Sequence, residues 1–411
     1  MADLAREAQV GEQNMQHFMS NSPWSGRGLI EQVQQGIVER PELQGGMLIL
    51  DESADEKSGD SSAGTGRQHN GRMGKIDECQ VGVYLAYAKE QHWTLWDGCL
   101  FIPEKWFSAS AAQRRNKVGI PAERFFQTKV ELGWQMIEQA KANGLNFEAV
   151  AFDSLYGRSY WLREQCGQVG LEYYADIPNN YLLYREAPVL EFEQGKRGKP
   201  TQKFTVVGQV ALKASAFVRL PETVWENITL RPAERGQLQV EFARYRVWAV
   251  NSTGTVREET LLLKREGPTI RYSLTNAPSS TPLAILAYRK CQRYFVERSL
   301  QDAKSELGMA DFQALKYRAW EHHLALTLLA SWFVAETRLD WAAEFPPDSQ
   351  LLRDYETDVL PHLSLSNVCE LLRAALPLRQ LSTQEAAALV LQHLDNRTRS
   401  RRSRLRKHSG P

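Results

Sequence analysis

The chain has 411 residues, of which 43% are hydrophobic and 24% are charged, and its formal net charge is +1. This length and composition exclude an intrinsically disordered chain and a small disulfide-stapled scaffold. The last 16 residues hold six arginines, one lysine and no acidic residue, so the other 395 residues carry a net charge of −6. A mildly acidic body with a concentrated basic tail favours a polyanionic partner.

The sequence contains no evident targeting or membrane segment. The N-terminus lacks the apolar stretch of a signal peptide, and the longest apolar run, residues 324–335, is too short to span a bilayer. The five cysteines have no CxxC spacing, so a zinc ribbon or a redox pair has no support. We therefore expect a soluble protein of a reducing cytoplasm, with no membrane partner.

The predicted elements change in character along the chain. Short helical segments come first, followed by three β-like runs, a helix over residues 122–143 and a fourth strand, which together predict an α/β sheet. A β-rich stretch follows, and then helical periodicity resumes. We expect an N-terminal helical region over 1–45, a first part of the core over 46–184, a β-rich insertion over 185–280, a second part of the core over 281–340, a C-terminal helical region over 341–395 and a basic tail over 396–411.

Two aspartates are candidates for a catalytic site. Asp51 follows the apolar run GMLIL, and Asp153 follows NFEAVAF. Each is therefore predicted to close a short buried strand and to project from the edge of a sheet. The alternative is that an acidic residue after an apolar run simply begins a solvated turn. Two such residues in one sheet favour the functional interpretation.

A third candidate acid lies on a helix predicted over residues 283–307. Helical spacing puts one carboxylate and three cations on a single stripe, next to an apolar stripe that faces the core. The residues of the charged stripe are Lys290, Arg293, Glu297 and Lys304. The alternative is an ordinary solvated face with ion pairs between successive turns.

Several motifs follow one another between about residue 15 and residue 340. They are QHFMSNSPW, LILDES, GTGRQHNGRMGKIDECQVGVYLAYA, AFDSLYG, YSLTNAP, the spacing Arg293-x3-Glu297-x6-Lys304, KSELGM and WEHHLALTLLA. Together they resemble the DDE transposases of the insertion-sequence-4 superfamily, and the chain as a whole resembles the insertion-sequence-701 family. The resemblance implies an α/β fold with a ribonuclease-H-like core, an all-β insertion domain, and helical N- and C-terminal regions.

The resemblance also implies that Asp51, Asp153 and Glu297 are the catalytic acids and the metal ligands. Three carboxylates about 5 Å apart repel one another by about 3 kcal/mol per pair at an effective dielectric constant of about 20, so such a cluster needs a cation. Mg²⁺ prefers oxygen ligands and bridges phosphate oxygens. We expect two Mg²⁺ ions, replaceable by Mn²⁺, and a two-metal phosphodiester hydrolysis and transesterification.

Cationic side chains near these acids and in the tail are predicted to bind DNA. Arg293 and Lys304 would contact phosphate near the scissile bond, as the resemblance implies. The tail would neutralise phosphates without regard to sequence. The predicted DNA-binding residues are Arg158, Lys290, Arg293, Lys304, Arg401 and Arg402. Lys290 departs from the family pattern, because relatives usually have a tyrosine there.

The resemblance predicts a DDE transposase of the cut-and-paste type. It would act as a homodimer in a synaptic complex on double-stranded DNA, namely the element's terminal inverted repeats and the target, in the cytoplasm and associated with the nucleoid. One alternative is a catalytically inactive or domesticated transposase-derived DNA-binding protein, suggested by Lys290 and by the short segment before Gln16. Another is a ribonuclease-H-like nuclease that acts on RNA or hybrids.

Overall fold

The computed structural model describes residues 5, 10–57, 59–70, 74–193, 203–233, 236–344, 365–375, 382–384, 387–388, 390–391 and 394. The chain divides into two compact units, residues 1–361 and residues 362–411. The second unit contains the helix Leu365–Ala375. The predicted basic tail, with Arg401 and Arg402, lies outside the described residues.

Nine α-helices and fourteen strands are defined among the described residues of the first unit. The helices are α1 (Glu12–Ser20), α2 (Gly26–Val38), α3 (Ala112–Val118), α4 (Lys129–Ala142), α5 (Ser154–Gly157), α6 (Tyr160–Gln168), α7 (Leu283–Cys291), α8 (Tyr294–Ser305) and α9 (Tyr317–Glu344). The strands are β1 (Gly46–Glu56), β2 (Gly66–Asn70), β3 (Lys75–Lys89), β4 (His92–Leu100), β5 (Phe147–Phe152), β6 (Glu172–Ile177), β7 (Leu182–Leu183), β8 (Val189–Phe192), β9 (Phe204–Val207), β10 (Leu212–Lys213), β11 (Glu226–Ala233), β12 (Gly236–Val250), β13 (Val256–Glu266) and β14 (Thr269–Thr275). The α/β class predicted from the sequence is confirmed.

A single sheet of ten strands forms the centre of this unit, as far as the chain is described. Its order is β11-β12-β13-β14-β6-β5-β1-β3-β2, and β4 also pairs with β3. β1 is antiparallel to β3, whereas β1, β5 and β6 run parallel to one another. β1 begins with five consecutive buried residues, the pattern of a central strand that is covered on both faces.

Helices cover both faces of this sheet. Ile49 on β1 packs in a core that includes Phe295 and Val296 of α8. Its neighbours on the strand, Leu48 and Leu50, pack in a second core that includes residues of α4. Because successive side chains of a strand point to opposite faces, the parity of a residue along β1 decides which helices it meets.

The helix predicted over residues 122–143 is shorter in the structure. α4 begins only at Lys129, because the hydroxyl of Thr128 accepts a hydrogen bond from the backbone of Glu131 and the Glu131 carboxylate accepts one from the backbone of Thr128. This reciprocal capping box fixes the helix start. Gly144, just after the helix, has a φ of +85°, the left-handed conformation that glycine commonly adopts at a helix C-terminus.

The β-rich stretch over residues 185–280 extends the core sheet. Its last strand, β14, pairs antiparallel with β6, with Thr275 opposite Tyr174, and β13, β12 and β11 continue outwards from β14. The stretch also contains the 3₁₀ helix Ala214–Arg219 and the separate two-stranded sheet β8-β9. The stretch predicted as an insertion domain therefore contributes four strands to the same sheet as the first part of the core.

The continuous helix predicted over residues 283–307 is wrong, because the structure contains two helices there. α7 ends at Cys291, and α8 begins at Tyr294. The backbone N–H groups of Phe295 and Val296 bond to carbonyls three residues earlier, which makes a tight turn at the junction. The apolar spacing continues across the break, so periodicity alone could not reveal it.

The apolar run at residues 324–335 lies in α9, a helix of 28 residues. Much of α9 is buried, including His322, whose two ring nitrogens contact the carbonyl oxygens of Met19 and Trp24 at 2.9 Å. Within the described part of the chain, no helix combines the length and apolar character that a membrane crossing requires.

A fully buried ion pair joins the first part of the core to the extended sheet. Nε of Arg163 on α6 lies 2.9 Å from Oε1 of Glu259 on β13, and both side chains have zero exposure. Arg163 also donates to the hydroxyl of Tyr181 and to the carbonyl oxygen of Gly157. The guanidinium is therefore almost completely hydrogen-bonded, as a buried charge requires.

Removal of one partner of this pair should destabilise the fold strongly. We expect Glu259→Gln to lower the free energy of unfolding by about 3–5 kcal/mol, because Arg163 would keep an uncompensated buried charge. The control is Glu258→Gln on the same strand, since Glu258 pairs with Arg246 at the surface with 44% of its side chain exposed. The control should change the stability by less than about 1 kcal/mol in urea denaturation. Equal effects of the two variants would contradict this prediction.

Gly157 occupies a position with no room for a side chain. A Cβ there would lie 1.9 Å from the carbonyl oxygen of Asp176 on β6. We expect Gly157→Ala to destabilise the fold by at least about 1–3 kcal/mol, because β6 and α5 would have to separate. Gly167→Ala on α6 is the control, since a Cβ there meets no atom within 4 Å. That variant should be neutral or stabilising by about 0.5–1 kcal/mol in the same urea experiment.

Candidate active site

Three aspartates that lie on or directly after neighbouring parallel strands face the same side of the sheet. Asp51 has the parity of Ile49, which packs in the core shared with α8. The same parity argument applies to Asp153, two residues after Ala151, and to Asp176, two residues after Tyr174, since Ala151 and Tyr174 belong to that core. The sheet therefore directs all three carboxylates towards the face that α8 covers.

Asp51 and Asp153 are neighbours because of the register between β1 and β5. The last parallel pair is Leu50 and Phe152, and the two aspartates follow directly. Asp153 is the N-cap of α5, and its Oδ1 accepts from the backbone of Leu155 at 2.9 Å and of Tyr156 at 3.3 Å. The prediction that Asp51 closes its strand is wrong, because β1 continues to Glu56 in antiparallel pairing with β3. Only the pairing with β5 ends there.

Arg293, at the start of α8, links Glu297 to the first aspartate. Its Nη2 lies 2.6 Å from Oε1 of Glu297, one turn further along the helix, and its Nη1 lies 3.3 Å from Oδ2 of Asp51. The Glu297 side chain is 57% exposed, whereas that of Arg293 is 20% exposed. The structure thus brings Asp51, Asp153, Arg293 and Glu297 to one place, with the guanidinium between the acids.

A fourth acid, Asp176 on β6, belongs to the same cluster and was missed in the sequence. Its Oδ2 lies 3.0 Å from Nε of Arg293, its Oδ1 lies 2.8 Å from Nζ of Lys290, and the hydroxyl of Ser273 donates to Oδ1 at 2.6 Å. A carboxylate inside the largely apolar run EYYADI was the available signal. The run alone does not indicate a role for Asp176, because the residues that contact it lie about a hundred residues further along the chain.

The other predicted DNA-binding residues lie in different surroundings. Lys290, at the end of α7, is buried with only 7% of its side chain exposed, because it contacts Asp176. Lys304 lies over β1, with Nζ 3.7 Å from Oδ1 of Asp55. Arg158 is exposed at the C-terminal end of α5. Lys304 and Arg158 thus remain accessible or partly accessible, whereas Lys290 faces the protein interior.

Burial and mutual repulsion set the protonation of these acids. Burial, followed by the charge of Asp153, raises the pKa of Asp51 to about 7, although Arg293 opposes the shift. Burial also raises the pKa of Asp153, against the backbone hydrogen bonds from α5 and the charge of Arg293. Burial alone would raise the pKa of Asp176 too, but the charges of Lys290 and Arg293 outweigh it and lower this pKa. The neighbouring cations therefore compensate Asp176 fully, whereas they do not outweigh burial at Asp51 and Asp153.

The oxygen atoms of the candidate site provide some, but not all, of the ligands that a hard divalent cation needs. Asp51 and Asp153 provide adjacent carboxylate oxygens, and the buried hydroxyl of Tyr156 has no hydrogen-bond partner among the described residues. Within those residues, however, no group of three His, Cys, Asp or Glu side chains is arranged to hold a metal ion. The third predicted ligand, Glu297, is bound to Arg293 instead. Asp51 also contacts Arg293, so a cation held by Asp51, Asp153 and Glu297 would have to displace the guanidinium from two of these three carboxylates.

Comparison with known proteins defines the class to which this fold and site belong. The profile of the DDE superfamily endonuclease family matches residues 1–237, which include Asp51 and Asp153 and end before Glu297. The chain belongs to this superfamily of endonucleases, and the family predicted from the motifs is confirmed. The chain is also similar to the probable transposase for insertion sequence element IS701 of Microchaete diplosiphon, with 26% identity over 313 residues, 74% of this chain and 70% of the relative.

The raised pKa of Asp51 predicts a pH dependence of stability. The folded chain binds a proton at Asp51 up to about pH 7, whereas the unfolded chain releases it near the ordinary value of 3.8. The stability that the Asp51 carboxyl contributes to the fold is therefore fully present below its pKa in the unfolded chain. It is lost as the pH rises through its pKa in the folded chain. We expect Asp51→Asn to be more stable than the wild type by a margin that grows between about pH 5 and about pH 8.

The measurement is urea denaturation in the presence of a chelator at both pH values. Glu306→Gln, at the exposed C-terminal end of α8, is the control and should show the same difference from the wild type at both pH values. An Asp51→Asn margin that does not change with pH would contradict the raised pKa.

Proposed function

We propose that the chain is a DDE transposase that cuts DNA at the ends of its own mobile element and joins the freed 3′ ends to target DNA. The observation that carries the proposal is the position of Asp51 and Asp153 directly after the last parallel pair of β1 and β5, with Glu297 linked to Asp51 through Arg293. Membership of the DDE endonuclease superfamily and the similarity to a probable insertion-sequence transposase support the same activity.

We propose a ribonuclease-H-like core for this enzyme. Support comes from the strand order β4-β3-β1-β5-β6, in which an antiparallel meander is followed by two parallel strands. Each of the two parallel strands follows a helical segment, α4 before β5 and α6 before β6. Candidate catalytic acids directly after the parallel pairing of the two central strands agree with such a core, because ligands gather where the carboxyl ends of parallel strands meet.

Asp51 and Asp153, with Glu297 after its release from Arg293, are the residues that would hold the divalent cations. When bound, such cations activate the attacking oxygen and stabilise the phosphate oxygens in an in-line phosphodiester substitution. Mg²⁺ is the ion that this oxygen donor set favours, with Mn²⁺ as a substitute.

The cations of the chain itself would position the DNA. Arg293 has a planar fork that can turn from the acids to a phosphate and bind it through two nitrogens. Lys304 would supply a point charge beside β1, and Arg158 would meet the DNA strand next to Asp153. The basic tail, with Arg401 and Arg402, stays a predicted sequence-independent contact. Lys290 is too buried to share this role.

We propose that two copies of the chain act together, because a transposition event joins two element ends to one target. Its partners would be the terminal inverted repeats and the target duplex, which makes association with the nucleoid the expected location. This oligomeric state is part of the proposal and follows from the reaction rather than from a contact between copies.

The test is cleavage of a duplex that carries the genomic sequence flanking the coding region, with Mg²⁺ and with Mn²⁺. We expect Asp51→Asn, Asp153→Asn and Glu297→Gln each to lower cleavage by more than about 100-fold, because each removes a ligand needed for the chemistry. Binding of the same duplex in a mobility-shift experiment should remain within about threefold of the wild type, because phosphate contacts supply most of the affinity.

Glu306→Gln is the matched control, since it removes an exposed carboxylate from the opposite end of the same helix and should leave cleavage unchanged. Wild-type cleavage that survives Asp153→Asn or Glu297→Gln would exclude this catalytic site. Binding without cleavage under either metal would favour the inactive DNA-binding protein. Cleavage of an RNA–DNA hybrid in preference to the duplex would favour the nuclease alternative.

A further inference from the structure

Asp176 has no assigned role, yet its contacts reach the centre of the candidate site. We propose that Asp176 is a positioning residue that anchors Arg293. The anchored guanidinium neutralises Asp51 and Glu297 until a divalent cation replaces it there. Arg293 then stays in place and is available to the DNA phosphate. This inference rests on the proposed function, which it deepens by assigning the Asp176–Lys290 pair.

The geometry of Arg293 supports an anchor on one side and exchangeable contacts on the other. Nε is bound to Asp176 at 3.0 Å, whereas the two terminal nitrogens are bound to Asp51 at 3.3 Å and to Glu297 at 2.6 Å. Nε points away from the fork that the terminal nitrogens form with an oxyanion. The contact with Asp176 can therefore persist while the terminal nitrogens move from carboxylate to phosphate.

Asp176 is itself fixed from three sides. It lies directly opposite Ser273 in the pairing of β6 with β14, and the Ser273 hydroxyl donates to its Oδ1 at 2.6 Å. Lys290 on α7 binds the same oxygen at 2.8 Å. On the backbone side, the carbonyl of Asp176 packs against Gly157 so closely that no side chain fits there. Gly157 ends the short helix that Asp153 caps, so Asp176 is tied to both the acids and the arginine.

The charge of the cluster also fits this assignment. When all acids are ionised, four carboxylates (Asp51, Asp153, Asp176 and Glu297) face two cations (Lys290 and Arg293), which leaves two negative charges. One divalent cation would balance them. Lys290 offsets Asp176, so that Asp176 can hold Arg293 without drawing it away from Asp51.

Lys290 acquires a defined role in this arrangement. The family resemblance places a tyrosine at this position, and a DNA contact was predicted for the lysine that replaces it. Its ammonium is instead buried against Asp176. The structure assigns Lys290 to the anchor and not to a DNA contact, because its side chain is 7% exposed.

The test separates anchoring from charge. Asp176→Asn removes one negative charge and Lys290→Met removes one positive charge, so the double variant has the net charge of the wild type but no anchor for Arg293. The first readout is the affinity of the DNA-free protein for Mn²⁺, measured by calorimetry. We expect the double variant to bind Mn²⁺ about 10-fold more weakly, because the unanchored guanidinium closes on Asp51 and Glu297. The further change Arg293→Met should remove this deficit, because no guanidinium then competes.

The second readout is single-turnover cleavage of the element-end duplex. We expect Asp176→Asn and the double variant each to cleave about 10-fold more slowly or worse, with duplex affinity within about threefold of the wild type. Ser273→Ala, which removes one hydrogen bond and no charge, should give a smaller loss in the same direction and serves if the Asp176 variants fail to fold.

Wild-type Mn²⁺ affinity and wild-type cleavage in the double variant would overturn the inference, because Asp176 would then act through its charge alone. A deficit that persists after Arg293→Met would also overturn it. If the wild type itself cleaves no DNA, the proposed function fails, and the Mn²⁺ measurements still decide whether Asp176 acts through Arg293.

Discussion

The position of Arg293 between acidic side chains is the constraint on which the candidate site depends. Carboxylates a few ångströms apart repel one another by about 3 kcal/mol per pair at an effective dielectric constant of about 20, so the apo site needs a positive charge. Arg293 supplies it at the start of α8, where it contacts Asp51, Asp176 and Glu297. The N-terminal end of α8 adds a favourable dipole for Glu297 in its first turn. The break between α7 and α8 makes both effects possible.

The sheet fixes the other half of the arrangement. Asp51 on β1, Asp153 directly after β5 and Asp176 on β6 lie on the same face, and the register between β1 and β5 puts Asp51 next to Asp153. Close packing of Gly157 under β6 then holds the turn that Asp153 caps. The buried pair of Arg163 and Glu259 ties that turn to β13. The position of the acids is thus set by strand geometry and tight packing, whereas their charge balance depends on the contacts of Arg293 and Lys290.

The sequence predicted those parts of the site that a local pattern carries. Asp51 and Asp153 were found because each follows an apolar run, and Glu297 because it shares a helical stripe with cations. Asp176 was not found, since its role depends on Arg293 and Ser273, about a hundred residues further along the chain. The break before Tyr294 was also hidden, because the apolar period runs across it. The pairing of β14 with β6 is another long-range choice that alternation within a strand does not specify.

The surroundings of Lys290 bear on whether its departure from the family pattern implies lost activity. A lysine added to a site that already contains Arg293 would weaken the binding of a divalent cation if it faced the acids of the candidate site. Here its ammonium is paired with Asp176, which removes most of that charge from Asp51 and Asp153. Asp176 remains ionised because Lys290 and Arg293 together lower its pKa. The substitution is thus electrostatically balanced within the fold. With all acids ionised it leaves a net negative charge on the cluster, the feature that a cation-dependent nuclease site requires and that an inactive DNA-binding protein has no physical reason to keep.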